Sequence, residues 1–268
     1  MKLSFVISTQ PTRFQAITFD PDFEANVACL AALGYDGVEL AVREPAALDL
    51  ARVKQALDAH KLRVPAIGTG QAFVEEHLSF TDPDAAVRER AVARIESHVE
   101  LAHEFGALVI LGLIRGRMQQ NVTPEMARGW LIDSLRRVAR VARAQNVRLA
   151  VEPINRYETD LINSVAEANE LIDAVGATNI GILFDTFHAN IEEPNMEASL
   201  RACSARLFHV HVADSNRGAP GTGHTDFARI IATLREMSYA GWVSAEILPK
   251  PDTPRAAEQT IKTLKPLM

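Results

Sequence analysis

The sequence has 268 residues, is 47% hydrophobic and 23% charged, and carries a formal net charge of −6. That balance fits an ordinary globular chain large enough to bury a full core, and it leaves no basic block for a nucleic-acid footprint. No apolar run approaches the ~20 residues a bilayer span requires, and MKLSFVISTQ lacks the apolar core and cleavage site of a signal peptide, so a cytoplasmic protein with Cys29 and Cys203 as buried free thiols is expected.

In chain order, a first strand is predicted over Leu3–Ile7. A long segment, STQPTRFQAITFDPD, leads to Asp20 and Pro21, read as the start of a helix striped by Phe23, Val27, Leu30 and Leu33 and stopped by Gly34. Strands follow over Gly37–Leu40 and Val64–Ile67. The next helix, with Thr81, Asp82 and Pro83 at its start and Val87, Ala91, Ile95, Val99 and Ala102 on one face, ends at Gly106. Strand Leu108–Leu111 precedes a helix that starts at Thr123–Pro124 and buries Leu131, Leu135 and Val138. Strands Arg148–Val151, Ile180–Phe184, Leu207–Val212 and Trp242–Ile247 complete eight, with helix ends at Gly176 and Gly241 and a last apolar stripe at Phe227, Ile230, Leu234 and Met237.

Continuous apolar strands suit a parallel sheet covered on both faces. Eight strand–helix alternations without a composition break predict an α/β fold, a (β/α)8 TIM barrel forming one domain over residues 1–268, with a doubly wound open sheet as the alternative. Helix-to-strand links are short and strand-to-helix links long, so the long loops gather at the strands' C-terminal ends, where such barrels carry their sites. GTGQAF lacks the third glycine of a dinucleotide fingerprint and GAPGTGH the lysine of a phosphate loop; both read as flexible loop turns that contribute to a lid.

The last four strands end in polar residues: Glu152 in LAVEP, Asp185 in ILFD, His209 and His211 in LFHVHVAD, and Glu246 in WVSAEIL. In a barrel these ends converge. Two glutamates, an aspartate and an imidazole make a site for one divalent cation, Mn²⁺ first, with Co²⁺, Mg²⁺ or Zn²⁺ also accommodated. The competing reading is that such residues cap helices or form barrel salt bridges. Strand alternation puts His209 and His211 on one face; His211, nearer the C-terminal end, is taken as the ligand, and His209 as a core or supporting histidine. His188, three residues past Asp185, is either a fifth ligand or a donor to substrate. His60, His98 and His103 fall in helical stretches as surface or satisfied residues.

The stretches EPINRYETD, DTFHANIEE and HVHVADSNRGAPG, with the strand-eight glutamate, resemble the ketose 3-epimerases of the D-tagatose/D-psicose type in the xylose-isomerase-like barrel superfamily. MKLSFVIST, VELAVREP, AIGTGQAF and GALVILGLIRGR are similar to the 5-keto-L-gluconate epimerase branch. The resemblance implies that Glu152, Asp185, His211 and Glu246 hold the metal, that Glu152 and Glu246 are also the catalytic acid/base pair, and that Glu158, His188 and Arg217 hold substrate oxygens. It also implies a homo-oligomer, a dimer or tetramer. The chemistry would be proton transfer at the carbon beside a ketone, through an enediolate, on a ketohexose or keto-sugar acid. Arg115, Arg117 and Arg217 lie on strand-end loops, and at least one of them is expected to pair with a substrate carboxylate, with surface solvation the alternative for Arg115 and Arg117. An aldose–ketose isomerase such as hydroxypyruvate isomerase is the alternative on the same scaffold. An apurinic endonuclease of this superfamily needs extra histidines after strands three and four; AIGTG and VILGLI supply none. A barrel that only binds sugar would not need two glutamates around one metal.

Overall fold

The computed structural model describes residues 1–18 and 22–268. Eight strands form a closed parallel barrel in chain order: β1 (Lys2–Ser8), β2 (Gly37–Ala41), β3 (Ala66–Gly68), β4 (Leu108–Leu111), β5 (Leu149–Val151), β6 (Ile180–Asp185), β7 (Leu207–Val212) and β8 (Trp242–Ala245). Closure is made by β1 against β8, with Lys2 opposite Trp242 and Phe5 opposite Ala245, which excludes the open sheet.

Around the barrel run α1 (Phe23–Leu33), α2 (Leu50–His60), α3 (Gly70–Glu76), α4 (Ala85–Phe105), α5 (Pro124–Ala144), α6 (Val165–Val175), α7 (Thr186–Glu192), α8 (Met196–Cys203), α9 (Phe227–Glu236) and α10 (Thr253–Leu264). Strand alternation splits the apolar residues into two sets. On β4, Val109 and Leu111 join the main core under the helices, while Leu108 and Ile110 join a smaller cluster with Ala66, Ala150 and Leu183. That second set faces the barrel interior.

Several local expectations shift. Asp20 and Pro21 lie outside the described residues; the α1 N-cap is Asp22, whose side chain accepts from the Ala25 N–H. Helix α4 starts later than Thr81–Asp82–Pro83, with Asp84 as its cap, because Thr81 is buried and its hydroxyl donates to the Arg117 carbonyl instead. Gly34, Gly106 and Gly176 do end helices in the left-handed conformation, but α9 stops at Glu236, before Gly241. GTGQAF is not a loose turn, since Gly70 opens helix α3. GAPGTGH does form a loop, between β7 and α9. Cys203 is buried and Cys29 only half-buried; both are free thiols. Among the described residues, no helix is long and apolar enough to cross a membrane.

Candidate metal centre and active site

Glu152 follows β5, Asp185 closes β6, His211 sits one residue from the end of β7, and Glu246 follows β8. Adjacent strands in register place Asp185 opposite His211. One ligand atom from each of the four residues lies within 4.8 Å of those of the others. Nδ1 of His211 is the common point, 3.8 Å from Glu152 Oε1, 3.7 Å from Asp185 Oδ2 and 4.0 Å from Glu246 Oε2. The competing reading holds in part for Asp185: its Oδ1 caps α7, accepting from the N–H groups of Phe187 and His188. Its second oxygen stays turned to the cage.

Burial, with the neighbouring carboxylates, raises the pKa of both glutamates. For Glu152, burial leads, the Glu246 charge adds, and the direction is well above the usual carboxylate range. For Glu246, burial again leads; His211 and Arg217 oppose it and Asp185 supports it, leaving the carboxyl at about 7. Packing this much negative charge into a dry mouth is costly unless a cation joins it. Two atoms that face one another there, Glu152 Oε1 and His211 Nδ1, have no hydrogen-bond partner. Three carboxylates and one imidazole lone pair, with two orphaned donors, fit a divalent cation.

Beside the cage, His188 is buried in α7. Its Nδ1 is 2.7 Å from the side-chain nitrogen of Asn155, which donates, so the ring proton sits on Nε2. Nε2 points to Glu152 Oε1 at 3.8 Å. Burial, the leading influence, holds His188 below the ordinary histidine range and so neutral. Asn155 also donates to Glu158 Oε1 at 3.0 Å. That carboxylate in turn accepts from Arg217 Nη1 at 2.6 Å, and Arg217 Nη2 lies 3.6 Å from Glu246 Oε2. The guanidinium is held between the rings of Phe14 and Phe187, 5.2 and 4.8 Å away. Glu158, His188 and Arg217 therefore line one pocket with Glu152, His211 and Glu246.

Arg115 does not. It is 1% exposed, and its guanidinium donates to the carbonyls of Leu111, Leu161 and Glu152 at 3.1, 2.8 and 2.5 Å. Buried behind Glu152 with its fork turned to backbone, it does not line the pocket and cannot meet a substrate carboxylate there, and that expectation is corrected. Arg117 is exposed and is not among the residues lining the pocket. Two residues that bear on the site escaped the sequence reading. Asn155 sets the His188 ring; Glu39, fully buried on β2, binds both strand-seven histidines. The one signal for Glu39 is a charged residue inside the apolar run GVELA. His98 is buried as a satisfied residue, each ring nitrogen within hydrogen-bond distance of a carbonyl.

A closed parallel barrel with three carboxylates and a histidine gathered at its C-terminal mouth is a TIM barrel with a candidate metal site. The family model described as "Xylose isomerase-like TIM barrel" matches residues 27–267, and the chain belongs to that family. It is 30% identical over 223 residues to an L-ribulose 3-epimerase of Methylomonas sp. (strain DH-1), covering 82% of this chain and 76% of that one. It is 32% identical over 217 residues to a ketose 3-epimerase of Arthrobacter globiformis, covering 80% and 73%. The structure of an Escherichia coli 3-keto-D-glucoside 4-epimerase superposes with a TM-score of 0.84 at 25% identity, covering 99% of each chain. Kinship with proteins named epimerases makes the chain an isomerase-class enzyme.

Proposed function

We propose that this protein is a divalent-metal-dependent epimerase of neutral ketoses, inverting the carbon beside the ketone by proton transfer between Glu152 and Glu246. The observation that carries the reading is the pair of glutamates, Glu152 buried and Glu246 nearly so, facing one histidine nitrogen, with Asp185 completing a four-donor set. Glu152 and Glu246 come from β5 and β8, three strands apart on the rim, so they approach a bound sugar from different sides. One takes the proton from carbon on one face as general base; the other gives a proton back on the opposite face. Their raised pKa values suit both roles near neutral pH. Neutral His188 donates its Nε2–H to a substrate oxygen, and the Glu158–Arg217 pair orients the neighbouring hydroxyl and carbonyl. Glu152, Asp185, His211 and Glu246 would hold the cation, which supplies polarisation of the ketone and stabilisation of the negative charge that forms when the proton leaves. An oxygen-rich set with one imidazole favours Mn²⁺.

The pocket supports a neutral ketose over a keto-sugar acid. Among the described residues, Arg217 is the one arginine or lysine on its wall, already engaged by Glu158 and Glu246. Val6, Phe14, Ile17, Ile110 and Leu113 make the remaining wall largely apolar. The relatives named for L-ribulose and ketose 3-epimerisation support the same choice.

The test is turnover after EDTA treatment, with and without added MnCl₂, on L-ribulose, D-tagatose, D-fructose and 5-keto-L-gluconate. The reading requires Mn²⁺-restored conversion of a neutral ketose to its 3-epimer, with the keto acid the poorest substrate. Aldose products would assign the chain to the isomerases instead.

A further inference from the structure

Glu39 lies in the middle of β2, and its carboxylate spans the barrel interior to β7. Oε2 is 2.8 Å from His209 Nε2, and Oε1 is 2.9 Å from His211 Nε2. A carboxylate only accepts, so each ring donates from Nε2. In the neutral ring this leaves Nδ1 as a bare lone pair. The Nδ1 of His211 is the atom that faces Glu152, Asp185 and Glu246, and it has no hydrogen-bond partner. Glu39, His209 and His211 also have their ligand atoms close enough for a metal of their own. Their contacts, however, already have hydrogen-bond length, and a cation there would have to expel both protons.

We propose that Glu39 is a positioning residue of the metal centre: it fixes His211 in the orientation and tautomer that turn Nδ1 into the cage, with His209 bracing its second oxygen. The inference rests on His211 being a metal ligand. His209 explains why a buried acid so near the cage does not join it. By occupying Oε2, it keeps the carboxylate pinned to β7.

Glu39→Gln keeps the shape but replaces one acceptor oxygen with an NH₂ donor. Only one ring can then donate to it, and the other must shift its proton to Nδ1. If that ring is His211, the cage loses its nitrogen ligand. If it is His209, a buried Nδ1–H is left without a partner and His211 is held only by a neutral amide oxygen in place of a carboxylate, so either arrangement loosens the ligand. Glu39→Asp keeps both acceptors on a shorter stem.

Isothermal titration of MnCl₂ into EDTA-treated protein tests this without any activity assay. Wild type is expected to bind one Mn²⁺ per chain, Glu39→Gln to bind it ~10–100-fold more weakly, and Glu39→Asp to fall between. Unchanged Mn²⁺ affinity in a folded Glu39→Gln protein overturns the inference while leaving the cage intact. Wild type that takes up no Mn²⁺ overturns the cage reading and this inference with it. Two ions per wild-type chain would support the separate Glu39 metal site and also overturn it. Should Glu39→Gln not fold, long-range ¹H–¹⁵N NMR of the Mg²⁺-saturated wild type decides: a proton on His211 Nε2 alone is expected, and a proton on Nδ1 refutes the proposal.

Discussion

The side-chain amide of Asn155 donates to Nδ1 of His188 across 2.7 Å, and this bond determines which nitrogen of that ring reaches the pocket. Asn155→Asp would replace the donor with an acceptor, pull the ring proton to Nδ1 and leave Nε2 as an acceptor. Losing one hydrogen bond to a substrate oxygen costs on the order of 1–3 kcal/mol. The expected outcome is a kcat/KM lower by ~10–100-fold, with the melting temperature lowered as well because the new buried carboxylate faces that of Glu158. Steady-state kinetics and a thermal scan check it.

Arg115 is a structural cation. Even pulled down to about 10 by burial, it stays charged at neutral pH, and its three bonds tie the end of β4, the end of β5 and the loop that carries Glu158. Arg115→Met would strip three carbonyls of their donor. A loss of about 2–4 kcal/mol is expected, on the order of 5–15 °C in melting temperature. The ratio of kcat/KM for a neutral ketose to that for 5-keto-L-gluconate should not move. A selective loss on the keto acid would return Arg115 to substrate binding.

The limits of the sequence are visible in that residue. A guanidinium on a strand-end loop reads as available, because nothing in IRGR shows that three carbonyls from positions 111, 152 and 161 converge on it. The barrel and its four rim donors were legible because each rests on a local pattern: an apolar run and the polar residue that ends it. Glu39 and Asn155 act through partners 170 and 33 residues away, and the fold alone sets those distances. Register, likewise, brings Asp185 beside His211.

Asp214 organises the loop after β7. It is buried and accepts from the N–H groups of Ser215, Gly221 and Thr225, and its own carbonyl accepts from the Arg217 N–H at 2.7 Å. Burial raises its pKa, but the backbone donors win and hold it below the ordinary aspartate range. A lowered folded value means stability that is full above the unfolded value near ~3.9 and lost as pH falls through the folded one. Asp214→Asn should therefore cost about 1–3 kcal/mol in urea unfolding at pH 7, with the gap to wild type closing as the solution is acidified. A gap that widens toward acid would contradict this.

Gly112 leaves room for Glu152. A Cβ there would stand 2.6 Å from Glu152 Oε2, too close for both to remain. Gly112→Ala should push that carboxylate off its place and lower kcat by ~10-fold or more, an effect of at least about 1.4 kcal/mol. Circular dichroism should be unchanged. Wild-type kinetics in this variant would mean that Glu152 has freedom the packing does not suggest.

The central claim is proton transfer between two glutamates at one carbon. The most direct measurement is ¹H NMR of a single conversion in D₂O, with Mn²⁺ removed by chelation before the spectrum is taken. The account predicts deuterium on the inverted carbon of the product epimer, with early unreacted substrate still carrying protium there, because different residues remove and return the proton. A product with no deuterium, or deuterium at the neighbouring carbon of an aldose, would contradict it.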